Sequence, residues 1–167
     1  MTQGKQADLS VVDKNTTLLS GDINPNDNLE VYFGVGCFWH VQHEFVEAER
    51  SILGRSDKEL TSWAGYAGGT KKGNPADSVC YHNALFRNDY GKLGHGEVVG
   101  MQIPAKSYKQ FAEVYAGLFD KNGDRPDKGD RGPEYRHLVG LPGGVKSPLF
   151  KDLQDVMSKR GISVMAG

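Results

Sequence analysis

Cys37 is the residue whose type and setting first suggest chemistry. It stands in Val35-Gly36-Cys37-Phe38-Trp39, where a short apolar run meets the start of a helical pattern. A cysteine at a helix N-terminus faces unpaired backbone N–H groups and the positive end of the helix dipole. Both favour the thiolate, which is the nucleophilic form. The two aromatics that follow would give that sulfur an apolar wall. Local context leaves a second reading open, in which Cys37 is a small buried hydrophobe. Glu97, Tyr135 and Asp130 are further side chains that can give or accept a proton, and they occur in short glycine-bearing segments. Only one other thiol exists, Cys80.

These residues must be positioned by a fold, and the hydrophobic pattern outlines one. Val31, Phe33 and Val35 alternate and predict a strand over residues 30–36. Phe38, Val41, Phe45, Ala48 and Ile52 recur at helical spacing, so a helix runs to about Leu53 and Gly54 stops it. A second strand is expected over roughly residues 59–67, rich in Thr, Trp and Tyr. Residues 68–94 show no sustained period and read as a long loop of functional length. A third strand covers residues 97–103 and ends at Pro104. Ser107 and Gln110 fit a capping box for a second helix with the apolar stripe Tyr108, Phe111, Tyr115 and Leu118. A charged, glycine-rich loop over residues 121–133 precedes a fourth strand, residues 135–141. Ser147 and Pro148 open a third helix with Leu149, Leu153 and Val156 inward, and Gly161 ends it. The order strand, helix, strand, strand, helix, strand is the split β-α-β arrangement. The expected fold is therefore α+β, ferredoxin-like, with long decorating loops and an extra C-terminal helix.

Composition narrows the class. The 167 residues fit a single catalytic domain, residues 29–167, behind a polar arm, residues 1–28. Hydrophobic residues make up 38% and charged residues 25%, as in an ordinary soluble protein. A net charge of −1 points to neither nucleic acid nor an anionic membrane as partner. No apolar run reaches the roughly 20 residues of a membrane span. Two cysteines are too few for a disulfide framework, so the expectation is a cytoplasmic protein, monomeric, in a reducing compartment.

Four segments stand out together: Gly36-Cys37-Phe38-Trp39, Gly65-Tyr66-Ala67-Gly68-Gly69, Gly94-His95-Gly96-Glu97, and Asp130-Arg131-Gly132-Pro133-Glu134-Tyr135-Arg136. In this order and spacing they resemble the A-type peptide methionine sulfoxide reductases. That family carries Gly-Cys-Phe-Trp, Gly-Tyr-x-Gly-Gly, Gly-His-x-Glu and Asp-x-Gly-x-Gln-Tyr-Arg. The resemblance covers about residues 30–140. It implies reduction of methionine-S-sulfoxide, protein-bound or free, to methionine, with a sulfenic acid left on Cys37. Such a reaction needs a soft nucleophile, a proton donor for the sulfoxide oxygen and an apolar niche for the methyl group. Carried onto the matching positions, these are Cys37, Glu97, and Phe38 with Trp39. Tyr135 would donate a hydrogen bond to the oxygen, with Asp130 in the same network. Singly, each residue has a plainer reading: a solvated strand-edge Glu, a packed Tyr, core aromatics, simple turns.

The chain also departs from the family. A second tyrosine usually precedes the Val-Cys pair, and alignment on Val79-Cys80 puts Ala76 in its place. Tyr81 is adjacent, but an extended segment would point it elsewhere, so it receives no role. Glu134 replaces a glutamine. Residues 161–167 lack the resolving cysteines that many members carry in their tails. Recycling then has two routes. Either Cys80, the candidate resolving cysteine, forms a disulfide with Cys37 for thioredoxin, or Cys37 works alone and glutathione with glutaredoxin attacks its sulfenic acid. The single-cysteine route is the expectation. No bound cofactor and no metal are expected. A zinc site built from Cys37, His40 and His43 is a rival reading, though the helix also needs Phe38, Val41 and Phe45 on its inner face. The other rivals are a non-catalytic relative that binds oxidised methionine and a cysteine hydrolase, for which no Cys–His pair with an orienting Asn or Asp is identifiable.

Overall fold

A computed structural model of the chain describes residues 6–9, 23–74 and 78–166. The strands are β1 (Gln6–Leu9), β2 (Asn28–Gly34), β3 (Trp63–Ala67), β4 (Gly96–Pro104), β5 (Leu138–Gly140) and β6 (Ser163–Ala166). The helices are α1 (Phe38–Leu53), α2 (Tyr108–Gly117) and α3 (Leu149–Ser158). Four strands form one antiparallel sheet in the order β3-β4-β2-β5. In chain order of those four strands this is 2-3-1-4, so each βαβ unit spans a strand contributed by the other. That is the α+β, ferredoxin-like topology expected from the sequence. No helix among the described residues is long and apolar enough to cross a membrane.

Period-2 alternation decides which side chains meet the helices. Val31 and Phe33 of β2 lie opposite Met101 and Val99 of β4, and all four are buried. Phe33 stacks on Phe45 of α1 with ring centroids 4.9 Å apart, and meets Tyr115 of α2 at a tilt with centroids 5.1 Å apart. The same parity puts Glu97, at the start of β4, on the helix-facing side, directly across from Tyr66 of β3. A glutamate at a strand end would ordinarily be solvated. Here the register carries it under the first turn of α1.

Several bounds differ from expectation. β3 begins at Trp63, because residues 57–59 form a turn. β5 is only Leu138–Gly140, since Pro133–Tyr135 is a short 3-10 turn. The Ser107 capping box does not form. Residues Ala105–Ser107 are already a 3-10 turn running into α2, so the Ser107 backbone is helical and its hydroxyl makes no cap. Ser147 does serve α3, its Oγ accepting from the Leu149 N–H at 3.4 Å. The polar arm lies mostly outside the described residues. Of its described parts, β1 pairs in parallel with β6, a pairing that no periodicity announced.

α1 is fastened to the sheet edge by a buried carboxylate. Glu49 has no solvent exposure. It accepts from the Thr61 N–H and Oγ1 at 2.9 Å each, from the Ser62 N–H at 2.7 Å, and from the Ser62 hydroxyl and the Arg55 guanidinium. Burial alone would push this carboxyl up, but the hydrogen bonds from Ser62, Arg55 and Thr61 outweigh it and hold the group below the usual glutamate range. The stabilisation is therefore complete above the ordinary glutamate pKa and is lost as pH falls below it. Glu49→Ala should cost about 3–5 kcal/mol at neutral pH, the cost of removing one partner from a buried ion pair. The gap between wild type and variant in urea melts should shrink on acidification; a gap constant with pH would contradict the assignment.

Candidate functional site

Cys37 is the N-cap residue of α1, in extended conformation (φ −63°, ψ 123°), and is half-buried. Its carbonyl accepts the Val41 N–H at 3.3 Å. The turn that delivers it requires glycine. Gly36 has φ +76°, and a Cβ there would lie 2.8–2.9 Å from the Arg125 side chain and Asp130 Cβ. The Gly36 N–H donates to the Tyr135 carbonyl at 3.1 Å, which joins the cysteine turn to the Tyr135 turn by the backbone itself.

Glu97 sits beneath that turn, 1% exposed. Its Oε2 accepts the Phe38 N–H, the first amide of α1, at 2.9 Å. Its Oε1 accepts the Tyr90 hydroxyl at 2.8 Å. Burial pushes its carboxyl above the usual glutamate range, against the opposing pull of those two hydrogen bonds. Tyr90 is fully buried, and the hydrogen bond adds to burial in pushing its phenol far up, so it stays a donor. Tyr90 stacks on Tyr66 at 4.5 Å, and Tyr66 lies 5.7 Å from Phe38.

The mouth of the site is aromatic. Phe38 is buried, while Trp39 is 65% exposed and meets Phe38 edge-on at 4.9 Å. Tyr81, 48% exposed, lies parallel to Phe38 at 6.3 Å and to Tyr90 at 5.9 Å. Burial first, then the charges of Glu97 and Cys37, push the phenols of Tyr81 and Tyr135 up. Asp130 pairs with Arg125 at 3.4 Å. Arg125 is itself buried, donating to the Leu118 carbonyl at 3.1 Å and to His40 Nδ1 at 2.7 Å.

The structure thus brings Cys37, Phe38, Trp39, Glu97, Tyr135 and Asp130 around one turn. Cys80 is an exposed residue of the 78–94 loop, bridged to Asp89. Ala76 lies outside the described residues. The expectation that Tyr81 points elsewhere does not hold, because the chain folds back after Cys80: the Cys80 N–H donates to Asn88 and the Tyr90 N–H to Cys80. His40 turns its two nitrogens to Arg125 and Glu44, not toward Cys37. Sequence reasoning missed Tyr90, Arg125 and His82; Tyr90 carried no periodic signal, and Arg125 stood in a loop that read as solvated charge. His95 was recognised only as motif. Its Nδ1 accepts from the Gly69 N–H at 3.2 Å and its Nε2 meets the Lys71 carbonyl, so it ties two motif segments together.

Known proteins resemble this chain in the same terms. The peptide methionine sulfoxide reductase MsrA of Trichodesmium erythraeum is 26% identical over 133 residues, 78% of this chain and 66% of its own length. That of Geobacter metallireducens is 31% identical over 109 residues, 64% of this chain and 57% of its own. That of Geobacter sulfurreducens is 31% identical over 117 residues, 68% and 62%. The chain therefore spans a little under two thirds of the length of these relatives. No family model matches it. Among solved structures, methionine sulfoxide reductase A of Corynebacterium diphtheriae superposes with a TM-score of 0.54 at 16% identity, over 84% of this chain and 58% of that one, a likeness of fold. In sequence the chain is similar to the peptide methionine sulfoxide reductases MsrA, and its fold is like that of a solved member of that family.

Proposed function

We propose that this protein reduces methionine-S-sulfoxide, protein-bound or free, to methionine through Cys37, a repair of oxidised methionine in the cytoplasm. The observation that supports this reading best is the buried Glu97 carboxyl, raised in pKa and hydrogen-bonded to the amide next to Cys37. The Cys37 thiolate attacks the sulfoxide sulfur, and Glu97 gives its proton to the departing oxygen. The oxygen ends on the Cys37 sulfur as a sulfenic acid, and the substrate sulfur leaves reduced by two electrons. Tyr135 donates a hydrogen bond to the oxygen as charge develops there. Asp130 acts with Arg125 to hold the loop that carries Tyr135. Phe38 and Trp39 cover the methyl group and side-chain carbons. No bound cofactor takes part.

An external thiol then attacks the sulfenic acid, releasing water and leaving a mixed disulfide that a second thiol clears. Glutathione with glutaredoxin suits a Cys37 that works alone. Thioredoxin suits the route in which Cys80 resolves the sulfenic acid. The protein acts as a monomer.

Cys37→Ser should abolish methionine sulfoxide reduction in a folded protein, because a serine hydroxyl is a far weaker nucleophile at neutral pH. Turnover in that variant, followed by methionine release, would remove Cys37 from the reaction. Full binding of oxidised methionine with no turnover in the wild type would instead mark a non-catalytic relative.

Glu97→Gln keeps an oxygen to accept the Phe38 N–H but has no proton to give. It should lower kcat by about 10²–10⁴-fold with little change in melting temperature. Because Glu97 must be protonated to act, the wild-type rate should fall as pH rises through its elevated pKa, and that fall should be absent in Glu97→Gln. Wild-type rate in the variant would assign the acid elsewhere.

A further inference from the structure

One of the chain's departures from the family pattern, Glu134, which stands where the family has glutamine, faces His82 in the segment that follows Val79-Cys80. His82 Nδ1 is 2.7 Å from Asp89 Oδ2, and its Nε2 is 3.4 Å from Glu134 Oε2. The carboxylates approach opposite nitrogens of one ring. An imidazolium can donate to both at once. Asp89 is 2% exposed and fixed by the N–H groups of Gly91 and Lys92, at 3.0 and 3.2 Å. Glu134 reaches the site across Gly91, where a Cβ would come within 1.6 Å of its carboxylate. The His82 ring also packs on Tyr90, with centroids 4.8 Å apart, and Tyr66 stacks on the same phenol at 4.5 Å.

We propose that His82 is a positioning residue of the sulfoxide site: by bridging Asp89 and Glu134 it clasps the loop that carries Tyr81 and Tyr90 to the turn that carries Tyr135. The inference rests on the functional reading above and deepens it. Tyr90 holds the Glu97 carboxyl and the Tyr135 carbonyl accepts the N–H of Gly36 beside Cys37, so the clasp sets the spacing between proton donor and nucleophile. The groups that face His82 are Asp89, Glu134, and the rings of Tyr81 and Tyr90, with the Glu97 charge beyond them. The Asp89 hydrogen bond pushes its pKa above the ordinary histidine value; burial opposes it, and the charges of Asp89, Glu134 and Glu97 add to the rise. The clasp is complete below that pKa and loosens as pH rises through it.

The test uses the full chain and methionine sulfoxide. Glu134→Gln removes one carboxylate, and Gly91→Ala displaces it with no change of charge. Each should lower kcat/KM about tenfold below the His82 titration, mainly through kcat, since small misplacement of reacting groups is costly. The ratio of wild type to Glu134→Gln should fall toward one as pH rises through that titration; the ratio removes the shared dependence on Cys37 and Glu97. His82 should titrate lower in Glu134→Gln than in wild type by NMR of its ring protons. An unchanged His82 titration, or kcat/KM within twofold of wild type in both variants at every pH, would overturn the proposal. A wild type that shows the NMR coupling yet reduces no methionine sulfoxide would overturn the functional reading, and the catalytic meaning of the clasp with it.

Discussion

The Phe38 N–H to Glu97 bond holds the candidate site together. Two needs meet in it. The first amide of α1 has no partner inside the helix and would be orphaned at a buried end. A carboxyl without solvent must find donors or stay neutral. Each resolves the other at 2.9 Å, and the Tyr90 hydroxyl supplies a second donor at 2.8 Å. The balance falls on the side of burial, which pushes the carboxyl above the usual glutamate range. Because the amide belongs to the residue after Cys37, the same bond that satisfies the helix end fixes the carboxyl beside the cysteine turn. The sheet register, with Glu97 facing Tyr66, makes that placement a matter of backbone geometry rather than of a mobile side chain.

Around this centre the loops are tied to one another more than to solvent. Tyr135 is held by its own carbonyl through Gly36. Asp130 is held by Arg125, which also grips α1 through His40 and the end of α2 through Leu118. Three separate chain segments thus meet at the cysteine turn, although the buried Nε of Arg125 is left without a partner. This arrangement matters for a site built on loops, which otherwise are the least rigid part of a fold.

Much of the fold was legible in the sequence, because β2, α1, α2 and α3 bury one face each and so write their period into the residues. Phe38, Val41, Phe45 and Ala48 are buried as their spacing required. The segments carrying Cys37, Glu97 and Tyr135 were likewise readable as motifs, and the structure gathers them around one turn. The loops were less so. Tyr81 was expected to point away, because nothing local reveals that the chain reverses after Cys80 and brings the ring over Phe38. Tyr90 and Arg125 owe their burial to tertiary partners, Tyr66 of β3 stacking on Tyr90 and His40 pairing with Arg125 across 85 residues of sequence. The capping box at Ser107 failed because a preceding 3-10 turn already supplied the helix with its first turn.

The reversal after Cys80 has a consequence for how such a protein can change. Cys80 and Tyr90 are hydrogen-bonded neighbours, so everything between them leaves and re-enters the fold at nearly one point. An excursion closed at its base burdens the sheet little whatever its length, since the entropy of closing a loop grows only slowly with size. Residues 81–89 are in that sense a module: evolution could lengthen, shorten or recompose them while β3 and β4 stay in register. Their tip carries Leu85 and Phe86 in the open. Variation in substrate preference within such a family can then accumulate at this hairpin without renegotiating the core.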